Sequence, residues 1–144
     1  MTDLYQLTMA YASFKNGDLD KEAVFHLFFR KKPFNGGFTV AAGLEAAITF
    51  IERFKIDDSD IAYLRTLKTS NNTQLFDDAF LKYLSEFKLN VSVDAVPEGT
   101  VVFPFEPLLR IQGPMIACQL LESPLLNLIN FPTLIATKAA RLRI

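Results

Sequence analysis

The chain has 144 residues, half of them hydrophobic, with fifteen Lys and Arg against sixteen Asp and Glu and a formal charge of -1. That balance leaves no basic excess to hold a nucleic-acid backbone, and the apolar half excludes a disordered tail. A single cysteine, Cys118, and a single histidine, His26, exclude an internal disulfide, a cysteine-rich zinc site and a two-histidine metal site. Fourteen Phe and no Trp indicate a thick core, an interface, or both.

The N-terminus has no basic and apolar leader pattern, which reads as a cytosolic protein. The first helix is expected over Asp3 to Phe14, where Leu4, Leu7, Tyr11 and Phe14 form a stripe. Gly17 stands at its C′ position. Lys21 to Lys31 reads as a strand, with Ala23, Phe25, Leu27 and Phe29 on one face. A loop with the Gly36-Gly37 pair follows, suited to positive φ or close backbone approach. Helices are expected over Val40 to Phe54, Asp57 to Leu67 and Asp77 to Phe87. The acidic pairs Asp57-Asp58 and Asp77-Asp78 complement the dipoles of the last two.

The pattern then turns to alternation. Val91, Val93 and Ala95 mark one strand, Thr100 to Phe103 a second and Leu108 to Ile111 a third, closed by Gln112-Gly113-Pro114. Ser123-Pro124 reads as a cap with Pro at the first helical position, and Pro132 as the start or kink of a last helix. The final residues to Ile144 are good helix sequence without a stop signal, as in a helix cut short. The order predicts an α+β fold, a sandwich-like domain over 1–113 with helices on a mostly antiparallel sheet, and a helical segment over 114–144.

Chemistry-bearing residues are few. There is no phosphate loop of either glycine pattern and no nucleophile–base pair within any segment, so no catalytic residue is assigned. His26 has no obvious carboxylate or cysteine partner and reads as structural. Cys118, in an apolar stretch, reads as a buried inert thiol. Arg30-Lys31-Lys32 ends an apolar strand beside a glycine-rich loop. It is either a solvated cluster or an anion site, since Arg offers a planar fork to phosphate oxygens. Tyr5 is either a core aromatic or a ring that stacks on a ligand.

Several blocks carry more. Thr2-Asp3-Leu4-Tyr5-Gln6-Leu7-Thr8-Met9 resembles the opening motif of nicotinate phosphoribosyltransferases. So do Glu22 to Lys31, Pro33 to Phe38, Pro97 to Pro104, Leu126 to Phe131 and Thr133 to Arg141, in family order. The resemblance is to the N-terminal portion. It implies a sandwich-like domain leading into an α/β barrel, and a cytoplasmic homodimer that forms nicotinate mononucleotide and pyrophosphate from nicotinate and phosphoribosyl pyrophosphate. It implies ATP hydrolysis through a phosphorylated histidine other than His26, with Mg2+. By the same resemblance Tyr5 stacks on the pyridine ring, Asp3 orients substrate or Tyr5, and Arg30 binds phosphate in the partner's site with Lys31 beside it. These residues alone would then be inactive. The alternative is a freestanding, non-catalytic binding domain derived from the same family.

Overall fold

The computed structural model describes residues 2–143. The expectations that touch Met1 and Ile144 lie outside the described residues. The fold is α+β, and every strand pairing is antiparallel. Helix α1 (Leu4–Asn16) ends where its pattern places it. Gly17 takes φ 77°, its N–H donates to Phe14 O, and the Asp18 N–H donates to Ser13 O. Strand β1 (Glu22–Leu27) is shorter than the sequence suggests. Its partner strand begins at Leu109, and Pro107 just before it has no N–H to extend the ladder. The chain therefore leaves the sheet after Leu27 and makes a single 3₁₀ turn at Pro33–Asn35.

Thr39–Val40 form β2 rather than the start of a helix, and α2 spans Leu44–Arg53. Gly43 at φ 99° separates the two. The Glu98 carboxylate accepts both the Gly43 and Leu44 N–H groups at 2.6 Å, capping α2 from a distant loop. Helices α3 (Asp58–Thr66) and α4 (Asp78–Ser85) each begin behind an aspartate cap. Asp57 accepts from Ser59 and Asp60, and Asp77 accepts from Phe80. The acidic pairs thus serve their own helix ends.

Strands β3 (Ser92–Ala95), β4 (Val101–Val102) and β5 (Leu109–Pro114) follow. β5 lies between β1 and β3, and β2 pairs with β4 separately. Gln112-Gly113-Pro114 continue β5 instead of closing it. Gly113 is buried, and a side chain there would press on the Asn90 carbonyl.

The largest difference from the sequence reading is α5, a single helix over Met115–Leu142 with Pro124 and Pro132 inside it. Proline at position i removes the N–H that would bond carbonyl i−4. Leu120 and Leu128 are the carbonyls so released, and both meet other elements. The Thr2 hydroxyl donates to Leu120 O at 2.8 Å. Gly43 packs so closely on Leu128 O that a Cβ would strike it. Ser123 is therefore no cap but a buried residue inside the helix.

Two cores flank α5. Cys118, Leu121, Leu125 and Ile129 pack against the sheet and α2. Ile116 and Leu120 meet Ala10, Phe80, Leu81 and Leu84 on the helical side. Much of the Phe content is spent in the second core, where Tyr11 lies edge-on to Phe76 at 5.5 Å and tilted against Phe80 at 5.0 Å. Among the described residues no helix is long and apolar enough to cross a membrane.

Candidate functional site

The first turn of α1 rests on the middle of α5. Thr2 reaches the Leu120 carbonyl, and the Ser123 hydroxyl donates to the Asp3 carboxylate. Gln6 is fully buried. Its Oε1 accepts the Asp3 N–H at 3.3 Å, and its Nε2 donates to Glu122 Oε2 at 3.4 Å and to Tyr5 Oη at 3.5 Å. Tyr5 itself is 49% exposed. It is therefore no core aromatic: its ring stands at the surface while its neighbours are anchored.

Arg30, Lys31 and Lys32 stand beyond the end of β1, exposed and without an ion pair among the described residues. Arg30 and Lys31 share a groove of about 390 Å³ with Phe28, Thr39 and Asn130. All three cations line a more open one against Asn35, Gly36 and Phe105. Arg30 also lines a third groove of about 520 Å³ between β1 and α5, with Glu122 among its other lining residues. That groove thus holds one of the cations and Glu122, the partner of Gln6, although no hydrogen bond joins Arg30 to Glu122 among the described residues. His26 lines the same groove and is exposed. Cys118 lies at the groove floor, fully buried, with its sulfur 3.7 Å from Gly113 O and 3.8 Å from Ala23 O. Burial, and secondarily the charge of Glu22, pushes its thiol above the ordinary range, consistent with an inert group.

One constellation escaped the sequence. Thr133, Thr137 and Arg141 recur every fourth residue on one face of α5. The Thr133 hydroxyl accepts the Ala42 N–H, and the Thr137 hydroxyl accepts the Val40 N–H at 2.9 Å. The Arg141 guanidinium donates to Pro33 O and Phe38 O, each at 2.8 Å, and lies over the rings of Phe34 and Phe38. A Cβ on Gly36 would fall inside that guanidinium, so the close approach expected of the glycine pair belongs to Gly36 alone. The i, i+4, i+8 spacing was the available signal. Together these residues hold the backbone of residues 33–42 beside the cations. Gln6, Glu122 and Ser123 were equally unmarked, since polar residues in helices carry no local sign of a distant partner.

Residues 1–130 match the model of the nicotinate phosphoribosyltransferase (NAPRTase) N-terminal domain. The chain belongs to this family. It is 47% identical to the nicotinate phosphoribosyltransferase of Caenorhabditis elegans over 144 residues, covering 99% of this chain and 25% of that one. It superposes on the crystal structure of human nicotinic acid phosphoribosyltransferase with a TM-score of 0.88 at 42% identity, over 99% of this chain and 28% of that chain. A nicotinate-nucleotide pyrophosphorylase from Pyrococcus furiosus shares the fold at a TM-score of 0.54 and 21% identity, over 90% of this chain and 24% of that one. The chain thus spans about a quarter of the length of the nicotinate phosphoribosyltransferases it matches, and corresponds to their N-terminal domain.

Proposed function

We propose that these residues form the substrate-covering N-terminal domain of a nicotinate phosphoribosyltransferase. The enzyme joins nicotinate to phosphoribosyl pyrophosphate, giving nicotinate mononucleotide and pyrophosphate with ATP hydrolysis. In this reading residues 114–144 lead toward an α/β barrel, and the cytoplasmic protein is a homodimer in which this domain serves the partner's barrel. The family match over residues 1–130 carries the proposal. The exposed ring of Tyr5 and the cations Arg30 and Lys31, without an ion pair among the described residues, support it, because they offer what an electron-poor ring and phosphate oxygens need. Asp3 positions the turn that carries Tyr5. The domain by itself is inactive in this reading.

Kinetics of these 144 residues within a full-length nicotinate phosphoribosyltransferase chain test it. An aromatic stack is worth about 1 kcal/mol, so Tyr5→Ala raises the nicotinate KM roughly fivefold. Arg30→Ala raises the KM for phosphoribosyl pyrophosphate instead. Unchanged KM values in both variants would remove these residues from the site, and turnover by residues 1–144 alone would overturn the claim of inactivity.

A further inference from the structure

We infer that Gln6 is a positioning residue that sets the ring of Tyr5, and that Glu122 sets Gln6. The inference rests on the reading of Tyr5 as the stacking ring. Gln6 has no exposure, whereas Tyr5, the residue before it, is 49% exposed. The orientation of the Gln6 amide is dictated by its surroundings. The Asp3 N–H can only donate, so Oε1 must face it, at 3.3 Å. With Oε1 so placed, Nε2 faces Glu122 and donates to its Oε2, at 3.4 Å. The second Nε2 hydrogen is then left for Tyr5 Oη, at 3.5 Å.

Two consequences follow from that chain of donors. Tyr5 is tethered at its hydroxyl, so less ordering remains to be done when a ligand stacks on the ring. Its oxygen is also engaged as an acceptor, which leaves the phenolic hydrogen free to donate to an acceptor on the ligand, such as a carboxylate oxygen. Glu122 is held in turn on the helix whose next residue, Ser123, grips Asp3. One turn of α5 therefore fixes both ends of the turn that presents Tyr5.

The experiment is steady-state kinetics, again within a full-length nicotinate phosphoribosyltransferase chain, with thermal denaturation alongside. Gln6→Met keeps the volume and removes the amide. It should raise the nicotinate KM about fivefold and leave kcat and the KM for phosphoribosyl pyrophosphate within about twofold. In a Tyr5→Phe background, which lacks the hydroxyl, Gln6→Met should add nothing further to the nicotinate KM. Gln6→Glu sets two carboxylates face to face and should also raise it. Adding Glu122→Gln rebuilds the bond between the two side chains with donor and acceptor exchanged and should relieve part of that rise, but the new carboxylate has no N–H for Tyr5 Oη, so the KM should stay above the parent's. This exchanged pair keeps the test decisive should Gln6→Met fold poorly. A Gln6→Met effect that is fully additive with Tyr5→Phe, or seen only as a lower melting temperature, overturns the inference, as does a nicotinate KM in the exchanged pair no lower than in Gln6→Glu alone, or one fully restored to the parent's without the N–H to Tyr5. An unchanged nicotinate KM in Tyr5→Ala overturns the functional reading itself, and this inference with it.

Discussion

Asp77 binds three partners at the start of α4. Its carboxylate accepts from the Phe80 N–H at 2.9 Å, the Tyr11 hydroxyl at 3.0 Å and Lys15 Nζ at 2.9 Å. The Phe80 N–H chiefly, then Lys15 and Tyr11, hold its pKa below the ordinary 3.8. A carboxyl depressed in the folded state adds stability above its unfolded pKa and loses it as pH falls through the folded value. Stability should therefore drop below about pH 3.8, where the unfolded carboxyl first takes up its proton. Asp77→Asn keeps a competent cap and removes the charge, so it should flatten this acid limb. Asp77→Ala loses the cap as well and costs about 1 kcal/mol at neutral pH. Urea melts of the three proteins between neutral and acid pH would check both, and an acid limb of unchanged steepness in Asp77→Asn would assign it to other carboxylates.

At the scale of elements, α5 organises its neighbours through hydroxyls rather than through packing alone. Thr137 is fully buried and satisfies the Val40 N–H at the point where β2 forms. Thr137→Val preserves shape and strands that N–H, which costs about 1–3 kcal/mol, whereas Thr137→Ser retains the bond. The urea midpoint should fall clearly for the valine and much less for the serine; equal losses would point to the methyl group instead. This arrangement also explains which parts of the fold were readable beforehand. The stripe of α1, its stop at Gly17 and the acidic starts of α3 and α4 are local signals, and they stand where the sequence places them, with Asp57 and Asp77 serving as caps. β2 depends on Val101, Val102, Thr133 and Thr137, all more than sixty residues away, so periodicity alone extended the helix across it. The prolines of α5 misled for a related reason. Their local cost is visible in sequence, but the contacts of Thr2 and Gly43 with the released carbonyls are not. Tyr5 and Arg30 were singled out as candidates by motif resemblance, while the contacts of Gln6 and Glu122 and of Ser123 with Asp3 needed the tertiary structure.

At the scale of the molecule, α5 is shared by both cores. Cys118 faces the sheet side, and the aromatic cluster of Tyr11, Phe76 and Phe80 fills the helical side. A helix common to both sides couples their unfolding. Labelling of the Cys118 thiol in increasing urea should follow the same transition as tyrosine fluorescence, with negligible labelling in native buffer. Thiol labelling at lower urea than the fluorescence change would show that the sheet side opens on its own.

The two prolines of α5 also act as a ruler. They are eight residues apart, so the carbonyls they release lie about 12 Å apart along the axis. One accepts the Thr2 hydroxyl ahead of α1, and the other meets the glycine that starts α2. A residue inserted between them would advance one attachment point by about 1.5 Å and swing it about 100° around the helix, detaching one of the two. The docking of both helices thus depends on the length of this stretch as well as on its side chains.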